Sequence, residues 1–161
     1  MADFVIRCAQ SPAEIDEVRL LFREYERFLG VDLCFQSFEE ELAQLPGKYA
    51  PPSGGLLIGV MDGVLQGCVA VRGLDEEVCE MKRLFVRPQA RGTGMGRRLA
   101  EEIIALARGL GYRLMRLDTL ERLVEAMQLY QSLGFQRRAP YYANPLPGVV
   151  YLELALHTGA S

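Results

Sequence analysis

Apolar positions along the chain follow two periods, which predicts strands and helices in alternation. Short runs of alternating or continuous apolar residues are typical of strands, and longer runs with apolar residues three to four positions apart are typical of helices. The predicted strands cover residues 4–8, 55–61, 64–72, 78–86, 112–118, 135–138 and 149–156. The predicted helices cover residues 12–29, 37–45, 94–110 and 124–133.

Local signals support the ends of several of these elements. Ser11 and Glu14 have the spacing of a capping box at the start of the first helix, and Gly30 ends that helix. Asp62 and Gly63 lie between two apolar runs, which is the signal for a type I′ hairpin. An antiparallel N-terminal half then leads into a β-α-β unit, whose two strands should be parallel. The pattern therefore predicts a mixed-sheet α/β domain.

Length and composition indicate one globular domain over residues 1–161. Half of the residues are apolar and 24% are charged, which excludes a mostly disordered chain and a coiled coil. The net charge of −3 gives no general attraction to nucleic acid or to an anionic membrane. The N-terminus lacks the apolar core of a signal peptide, and the near-apolar stretch 56–60 is far shorter than the ~20 residues that cross a bilayer. We expect a cytoplasmic protein that binds neither nucleic acid nor membrane.

The cysteines and the single histidine restrict the chemistry. Cys8, Cys34, Cys68 and Cys79 are far apart with no CxxC pair, and we expect them to be buried thiols. His157 lies close to the C-terminus. This distribution argues against Ser-His-Asp and Cys-His catalysis and against a metal site.

A glycine-rich turn between a predicted strand and a predicted helix is the strongest functional signal. Residues 91–98 read RGTGMGRR. Glycine weakens a helix start by about 0.5–1 kcal/mol relative to alanine, so alternating glycines suggest an anion that approaches the backbone. The N–H groups of a helix N-terminus bind phosphate, and Arg91, Arg97 and Arg98 can pair with it. The alternative is a flexible turn with surface arginines.

Two familiar phosphate-binding motifs do not fit this turn. The Walker pattern GxxxxGK[ST] is absent, and the spacing GxGxG differs from the GxGxxG of a Rossmann site. Asp118 stands at the end of the next strand, where a Rossmann site carries an acidic residue. A nicotinamide-nucleotide protein is therefore a weaker alternative.

Two motifs together resemble the GCN5-related N-acetyltransferase (GNAT) family. Arg91-x-x-Gly94-x-Gly96 is similar to the [Q/R]-x-x-G-x-[G/A] motif that binds the pyrophosphate of acetyl-coenzyme A (acetyl-CoA), and residues 126–135 are similar to the second family signature. The resemblance covers about residues 4–156, and the segments LDTL, AMQLYQSLGF and PYYANPLPG look like small bacterial members. It implies a mixed, mostly antiparallel central sheet with helices on both faces. It also allows a homodimer, since dimers are common among similar proteins.

The same resemblance implies an acetyl-CoA-dependent N-acetyltransferase, without a metal, that moves the acetyl group directly to a primary amine of a small molecule or peptide. Strand residues at the pantetheine arm and turn residues at the pyrophosphate would bind the cosubstrate: Phe85, Val86, Arg91, Gly92, Thr93, Gly94, Met95, Gly96 and Arg97. Leu123 stands where many relatives carry an asparagine that binds the pantetheine. One family contact is therefore lost or is replaced by a backbone group.

Glu80 and Tyr130 are the catalytic candidates. An amine with a pKa near 10 is mostly protonated at pH 7, so a base is useful, and Glu80 stands where the histone-acetyltransferase branch of the family carries its base. The alternative is that Glu80 pairs with Lys82 on the same strand face. Tyr130 matches the tyrosine with which many relatives protonate the departing thiolate, and the alternative is a half-buried packing ring.

The remaining candidates concern the acceptor and the core. Tyr141 and Tyr142, in the loop before the last strand, are weak candidates for the acceptor pocket. Asp118 is expected to pair with Arg116 or with a helix end. Three aromatic residues are expected in the core: Phe28, Phe35 and Phe38. A coenzyme A-binding module without chemistry is the main alternative to an enzyme, because it would keep the glycine turn.

Overall fold

The computed structural model describes residues 3–157, with the side chain of Phe35 excepted. Its strands are β1 (Phe4–Cys8), β2 (Gly55–Met61), β3 (Val64–Gly73), β4 (Val78–Val86), β5 (Leu114–Leu120), β6 (Gln136–Arg138) and β7 (Val149–Ala155). Its helices are α1 (Pro12–Leu29), α2 (Phe38–Gln44), α3 (Met95–Gly109) and α4 (Val124–Ser132). Every predicted element is present, with ends shifted by at most two residues. Three short 3₁₀ helices occur in segments without a predicted element: Cys34–Gln36, Gly47–Tyr49 and Pro88–Ala90.

The predicted local signals have the expected geometry. The Ser11 hydroxyl accepts a hydrogen bond from the Glu14 backbone N–H at 3.1 Å, which completes the capping box of α1, and Gly30 ends the helix in the left-handed region. Asp62 and Gly63 both have positive φ, as a type I′ turn requires. The hairpin of β2 and β3 therefore has the register that the sequence predicts.

The seven strands form one sheet in the order β1-β2-β3-β4-β5-β7-β6. β4 and β5 are parallel, and every other neighbouring pair is antiparallel. The last strand, β7, lies between β5 and β6, so the chain does not add strands in sequence order at this edge. The mixed, mostly antiparallel sheet of the prediction is confirmed.

Helices cover both faces of the sheet, as predicted. One buried cluster includes residues of α3 and α4, among them Met95, Leu99, Ile103 and Met127. A second buried cluster includes residues of α1 and α2, among them Val18, Leu21, Phe22, Phe38 and Leu42. Cys68 and Cys79 are buried, but the prediction of buried thiols is wrong for Cys8 and Cys34. These two are exposed, Cys8 at the end of the edge strand β1 and Cys34 in a short 3₁₀ helix. None of the helices between residues 3 and 157 is long and apolar enough to cross a bilayer.

A β-bulge in β4 shapes the centre of the sheet. Cys68 pairs with Phe85 and Ala70 pairs with Lys82, so β4 contains one extra residue there, and Arg83 has φ +63°. Such a bulge bends a strand and increases its twist. β4 and β5 pair only over residues 78–80 and 114–116, and beyond that point they separate. The separation opens a gap in the middle of the sheet.

Candidate active site

A cleft of about 660 Å³ lies between β4 and β5, where the two strands separate. Its walls include residues 81–86 of β4, residues 117–120 of β5, the start of α3 and Tyr130 of α4. Phe28 of α1 also lines the cleft and is 47% exposed, so the prediction that it lies in the core is wrong. Phe38 is buried as predicted, and the side chain of Phe35 lies outside the described part of the chain.

The glycine-rich turn forms one end of this cleft. Gly92 and Gly94 have φ of +79° and +91°, a region that favours glycine, and Gly94 occupies the N-cap position of α3. Gly94 has no side chain that could cap this helix, and among the described residues the Thr93 hydroxyl is the only side-chain group that accepts from its first turn, from the Met95 N–H at 3.3 Å. The other backbone N–H groups of the turn therefore keep their capacity to bind an anion, and the helix dipole favours a negative charge there. Gly92, Gly94 and Gly96 all line the cleft.

The other residues of the turn have different surroundings. The Arg91 Nε donates to the Val86 carbonyl at 3.0 Å, and its guanidinium lies over the rings of Phe28 and Phe85. The Thr93 hydroxyl donates to the Ala90 carbonyl at 2.6 Å, which closes the turn. The Arg97 side chain donates to the Ser132 hydroxyl at 2.5 Å and is half exposed. Arg91 therefore has a fixed position on the cleft wall, whereas Arg97 lies at the surface beside α4.

Two predicted cofactor residues belong partly to the core. The Met95 side chain is buried in the α3 cluster, so only its backbone N–H faces the turn, where it donates to the Thr93 hydroxyl at 3.3 Å. Phe85 is buried and packs edge-on against Tyr25. Both Phe85 and Val86 line the cleft, after the point where β4 has left β5.

Tyr130 lies on the cleft wall contributed by α4. Its ring packs edge-on against Phe135, and its hydroxyl makes no hydrogen bond to any residue between 3 and 157. Burial raises the pKa of this hydroxyl above its ordinary value, so the phenol keeps its proton at neutral pH. A protonated hydroxyl with no protein partner can donate a hydrogen bond or a proton to a ligand in the cleft.

Glu80 is buried next to the cleft, with 1% of its surface exposed. Its Oε1 accepts from the Arg72 Nε at 2.8 Å, and its Oε2 accepts from the Tyr141 hydroxyl at 2.6 Å. The Lys82 Nζ is farther away, at 3.9 Å from Oε1. Burial raises the pKa of the Glu80 carboxyl, but Lys82, Tyr141 and Arg72 together outweigh it and hold the pKa below the ordinary value. The carboxylate is therefore ionised at pH 7, and Arg72 is its closest ionic partner.

A set of hydrogen-bonded side chains lies near the point where β4 and β5 part, and we call it the polar cluster: Gln36, Lys82, Asp118, Tyr142 and Asn144. The Lys82 Nζ donates to the Gln36 Oε1 at 2.9 Å, and the Gln36 amide donates to the Tyr142 hydroxyl at 3.1 Å. That hydroxyl donates to the Asp118 Oδ2 at 2.6 Å, and the Asn144 amide reaches the same oxygen at 3.0 Å. The prediction that Asp118 pairs with Arg116 or with a helix end is wrong for the described residues: its hydrogen bonds come from Tyr142 and Asn144, and Arg116 binds Glu153 on β7 at 2.8 Å.

The structure brings together residues that the sequence did not connect. Tyr142 joins the polar cluster, and Tyr141 contacts Glu80, but neither lines the cleft directly. Lys82, Asp118 and Gln36 do line it. The sequence predicts Lys82 only as a partner of Glu80 and Asp118 only as a pairing residue or as the acid of a Rossmann site, and it predicts no role for Gln36. The available signal was the group of three charged residues Glu80, Lys82 and Arg83 in a strand that is otherwise apolar, because burying charges has a cost unless they are paired or bind a ligand.

The parallel strands β4 and β5 separate beside the glycine-rich start of α3. This arrangement is typical of an α/β protein that binds a ligand with an anionic group. The sequence model of the Acetyltransferase (GNAT) family matches residues 15–135. A protein of Schizosaccharomyces pombe named as an uncharacterized N-acetyltransferase is 44% identical over 153 residues, which cover 94% of each chain. The chain therefore belongs to the GNAT acetyltransferase family.

Solved structures agree on the fold. An acetyltransferase from Streptococcus agalactiae matches with a TM-score of 0.79 at 19% identity, covering 94% of this chain and 98% of that one. The yncA structure from Salmonella typhimurium, which contains its cofactor acetyl-CoA, matches with a TM-score of 0.71 at 20% identity and covers 99% of this chain and 97% of its own. These proteins come from bacteria and the 44% identical relative from a fungus, so the resemblance to bacterial members in particular stays a prediction.

Proposed function

We propose that the protein transfers the acetyl group of acetyl-CoA directly to a primary amine of a small molecule or peptide. The observation that carries this proposal is the cleft between β4 and β5, which joins the uncapped start of α3 to the Tyr130 hydroxyl. Such a cleft accommodates an extended arm with an anionic group at one end and a reacting group near the tyrosine. The yncA structure, which has the same fold, contains acetyl-CoA.

The residues at the turn fit the pyrophosphate of acetyl-CoA. A Cβ added at Gly96 would meet only Val86 Cγ2 at 3.7 Å, so packing within the protein does not require glycine at this position. A small residue there, glycine or alanine, leaves room for a ligand that approaches the helix start closely. Backbone N–H groups from residue 92 to residue 97 and the Arg91 guanidinium would hold the phosphates, and the backbone of Phe85 and Val86 would lie along the pantetheine arm.

When bound, acetyl-CoA supplies an activated thioester that an amine can attack. The amine nitrogen forms a bond to the carbonyl carbon, the carbon–sulfur bond breaks, and the sulfur leaves as a thiolate. The Tyr130 hydroxyl would donate a proton or a hydrogen bond to that sulfur, since the hydroxyl is protonated and faces the cleft without a protein partner.

The acceptor must also lose protons, and Glu80 remains the predicted base. Its carboxylate is buried, so a proton would reach Oε2 through the Tyr141 hydroxyl, which donates to that oxygen at 2.6 Å. Because Tyr141 does not line the cleft, the proton of the amine would reach the Tyr141 hydroxyl through water as Tyr141 passes its own proton to Glu80. We keep three other predictions as part of this proposal: a single domain over residues 1–161, a cytoplasmic location and a homodimer.

A thermal-shift measurement with acetyl-CoA, free coenzyme A and NADH tests the cosubstrate. A ligand at ~100 times its Kd adds about 2.7 kcal/mol to the free energy of unfolding, which raises the Tm of a domain of this size by roughly 5–10 °C. We expect that rise with acetyl-CoA and none with NADH. A rise with NADH alone would favour the nicotinamide-nucleotide alternative.

Release of coenzyme A thiol in the presence of an amine panel then tests the reaction. A binding module without chemistry would be stabilised by acetyl-CoA and would release no thiol with any amine. Substitution of Tyr130 by phenylalanine would also leave such a module unchanged in every assay.

A further inference from the structure

Lys82 is a buried cation on the wall of the cleft. The residue is 8% exposed and lies on β4 just before the bulge. An ammonium group has three N–H donors, and one of them donates to the Gln36 Oε1 at 2.9 Å. Within residues 3–157 the others have no acceptor at hydrogen-bond distance, since Glu80 is 3.9 Å away. Burying a charge with so few partners is costly unless a ligand completes them.

The carboxylates around Lys82 are already engaged by other groups. Glu80 is held by Arg72 and Tyr141, and Glu41 accepts two hydrogen bonds from the Arg83 guanidinium at 2.9 and 3.0 Å. Burial is the main cause that lowers the pKa of Lys82 to about 8, even though Glu80 and Asp118 act in the opposite direction. Its protein neighbours therefore compensate the Lys82 charge only in part.

Asp118 is the complementary group in the same cluster. Its Oδ2 accepts from Tyr142 and from Asn144, while its Oδ1 accepts no hydrogen bond from the described residues. The amides nearby have no such spare capacity, because the Asn144 Oδ1 accepts from the Leu146 N–H and the Gln36 Oε1 accepts from Lys82. The cluster thus presents one unsatisfied cation and one unsatisfied carboxylate oxygen to the cleft.

We propose that the acceptor is an amino acid with a free carboxylate, bound by Lys82 at the carboxylate and by Asp118 at the ammonium group. This inference rests on the proposed acetyl transfer and specifies its acceptor. An amine without a carboxylate would leave the Lys82 N–H groups without acceptors in a buried site, and a site with unpaired buried polar groups rejects such a ligand strongly. Arg83 cannot take the place of Lys82, since Glu41 occupies its guanidinium.

The test compares pairs of acceptors that differ only at the carboxylate. Each pair is an L-amino acid and its carboxamide, with small, branched, aromatic, acidic and basic side chains represented, and spermidine and a short peptide amide serve as amines without a nearby carboxylate. Coenzyme A thiol release is followed at saturating acetyl-CoA for the unaltered protein, for Lys82→Gln and for Lys48→Gln. Lys48 is the matched control, because it is the chain's other lysine and pairs with Glu41 outside the cleft.

We expect kcat/KM of the unaltered protein to be at least tenfold higher for one or more free amino acids than for the matching amides. Lys82→Gln should reduce that ratio to about one, mainly by raising KM for the free acid, and Lys48→Gln should preserve the ratio. Equal turnover of acids and amides by the unaltered protein, or an equal loss for both in Lys82→Gln, would overturn the inference alone. No thiol release with any amine would overturn the proposed function and this inference with it.

Discussion

Replacing Glu80 by glutamine tests the most tightly held carboxylate of the site. Glutamine has the same shape but no charge, so it leaves the Arg72 guanidinium and the Lys82 ammonium beside a neutral group. Removing one partner of a buried ion pair costs about 3–5 kcal/mol. The Arg72 side chain is 32% exposed, so water solvates part of its unpaired charge and reduces the loss of stability. The glutamine amide also keeps one oxygen that can accept a hydrogen bond. We therefore expect a loss near the lower limit, about 3 kcal/mol.

Urea unfolding and a thermal melt at pH 7 measure this loss. A decrease of about 3 kcal/mol corresponds to a Tm lower by roughly 6–12 °C for a domain of this size. The matched control is Glu153→Gln, since Glu153 also binds two arginines, at 2.8 and 2.6 Å, but is partly exposed. Exposed pairs contribute about 0–1 kcal/mol. If both variants lose the same free energy of unfolding, the argument from the burial of Glu80 is refuted.

The pH dependence gives the sign of the same effect. The pKa of Glu80 is lower in the folded protein than its ordinary value, so its stabilising contribution is present above the unfolded pKa of about 4.3. It is lost as the pH falls through the folded value. The difference in stability between the unaltered protein and Glu80→Gln should therefore be full at pH 7 and shrink below pH 4.

If Glu80 is also the catalytic base, Glu80→Gln should lower kcat by about 10²–10⁴-fold at temperatures at which the variant is still folded. A decrease of less than tenfold would show that Glu80 is not the base.

Three further predictions concern the cleft. Tyr130→Phe should lower kcat by about 10²-fold or more while the Kd for acetyl-CoA changes less than twofold, as measured by thiol release and calorimetry; an unchanged kcat would remove Tyr130 from the chemistry. Gly96→Ala should raise the free energy of unfolding by about 0.5–1 kcal/mol, because the added Cβ in helix α3 meets only Val86 Cγ2 at 3.7 Å, and it should change the Kd for acetyl-CoA less than threefold, since the pyrophosphate motif accepts alanine at this position. The larger side chain of Gly96→Val should weaken acetyl-CoA binding at least tenfold, and equal affinity of both variants would show that no ligand approaches this backbone. Lys82→Met should raise the Tm at pH 7, because it removes a buried charge. The pKa of Lys82 is lowered to about 8 in the folded protein, so the unaltered protein loses this charge as the pH rises. The difference in Tm between the two proteins should therefore disappear between about pH 8 and pH 10. A melt series from pH 6 to pH 10 checks this, and a constant difference would contradict the buried-charge argument.

Much of the fold follows from signals that act over a few residues. The capping box of Ser11 and Glu14, the hairpin at Asp62-Gly63 and the glycines before α3 each depend on backbone geometry that only a few residue types adopt. The spacing of the apolar residues distinguishes strands from helices. For that reason the ends of every strand and α-helix were predicted to within two residues, and the glycine turn was predicted to bind an anion.

The bulge at Arg83 could not be predicted in the same way. Residues 78–86 read VCEMKRLFV and are nearly all buried. A strand that is buried on both faces shows no clear alternation of apolar and polar residues that an extra residue would interrupt. The bulge nevertheless decides where β4 leaves β5, and hence where the cleft lies. Phe28 illustrates the consequence, since its helical spacing indicates a core residue while the parted strands leave it on a cleft wall.

The sequence by itself therefore determined the strands and helices, the hairpin at Asp62-Gly63 and the glycine-rich helix start, because each is encoded by neighbouring residues. The tertiary structure alone decided which distant side chains meet in the cleft. Lys82, Asp118 and Gln36 come from three separate parts of the chain, and Asp118 binds Tyr142 rather than its neighbour Arg116 because β7 brings Glu153 beside that arginine. Charge pairing depends on distance and burial, and both are set only when the strands have been placed side by side.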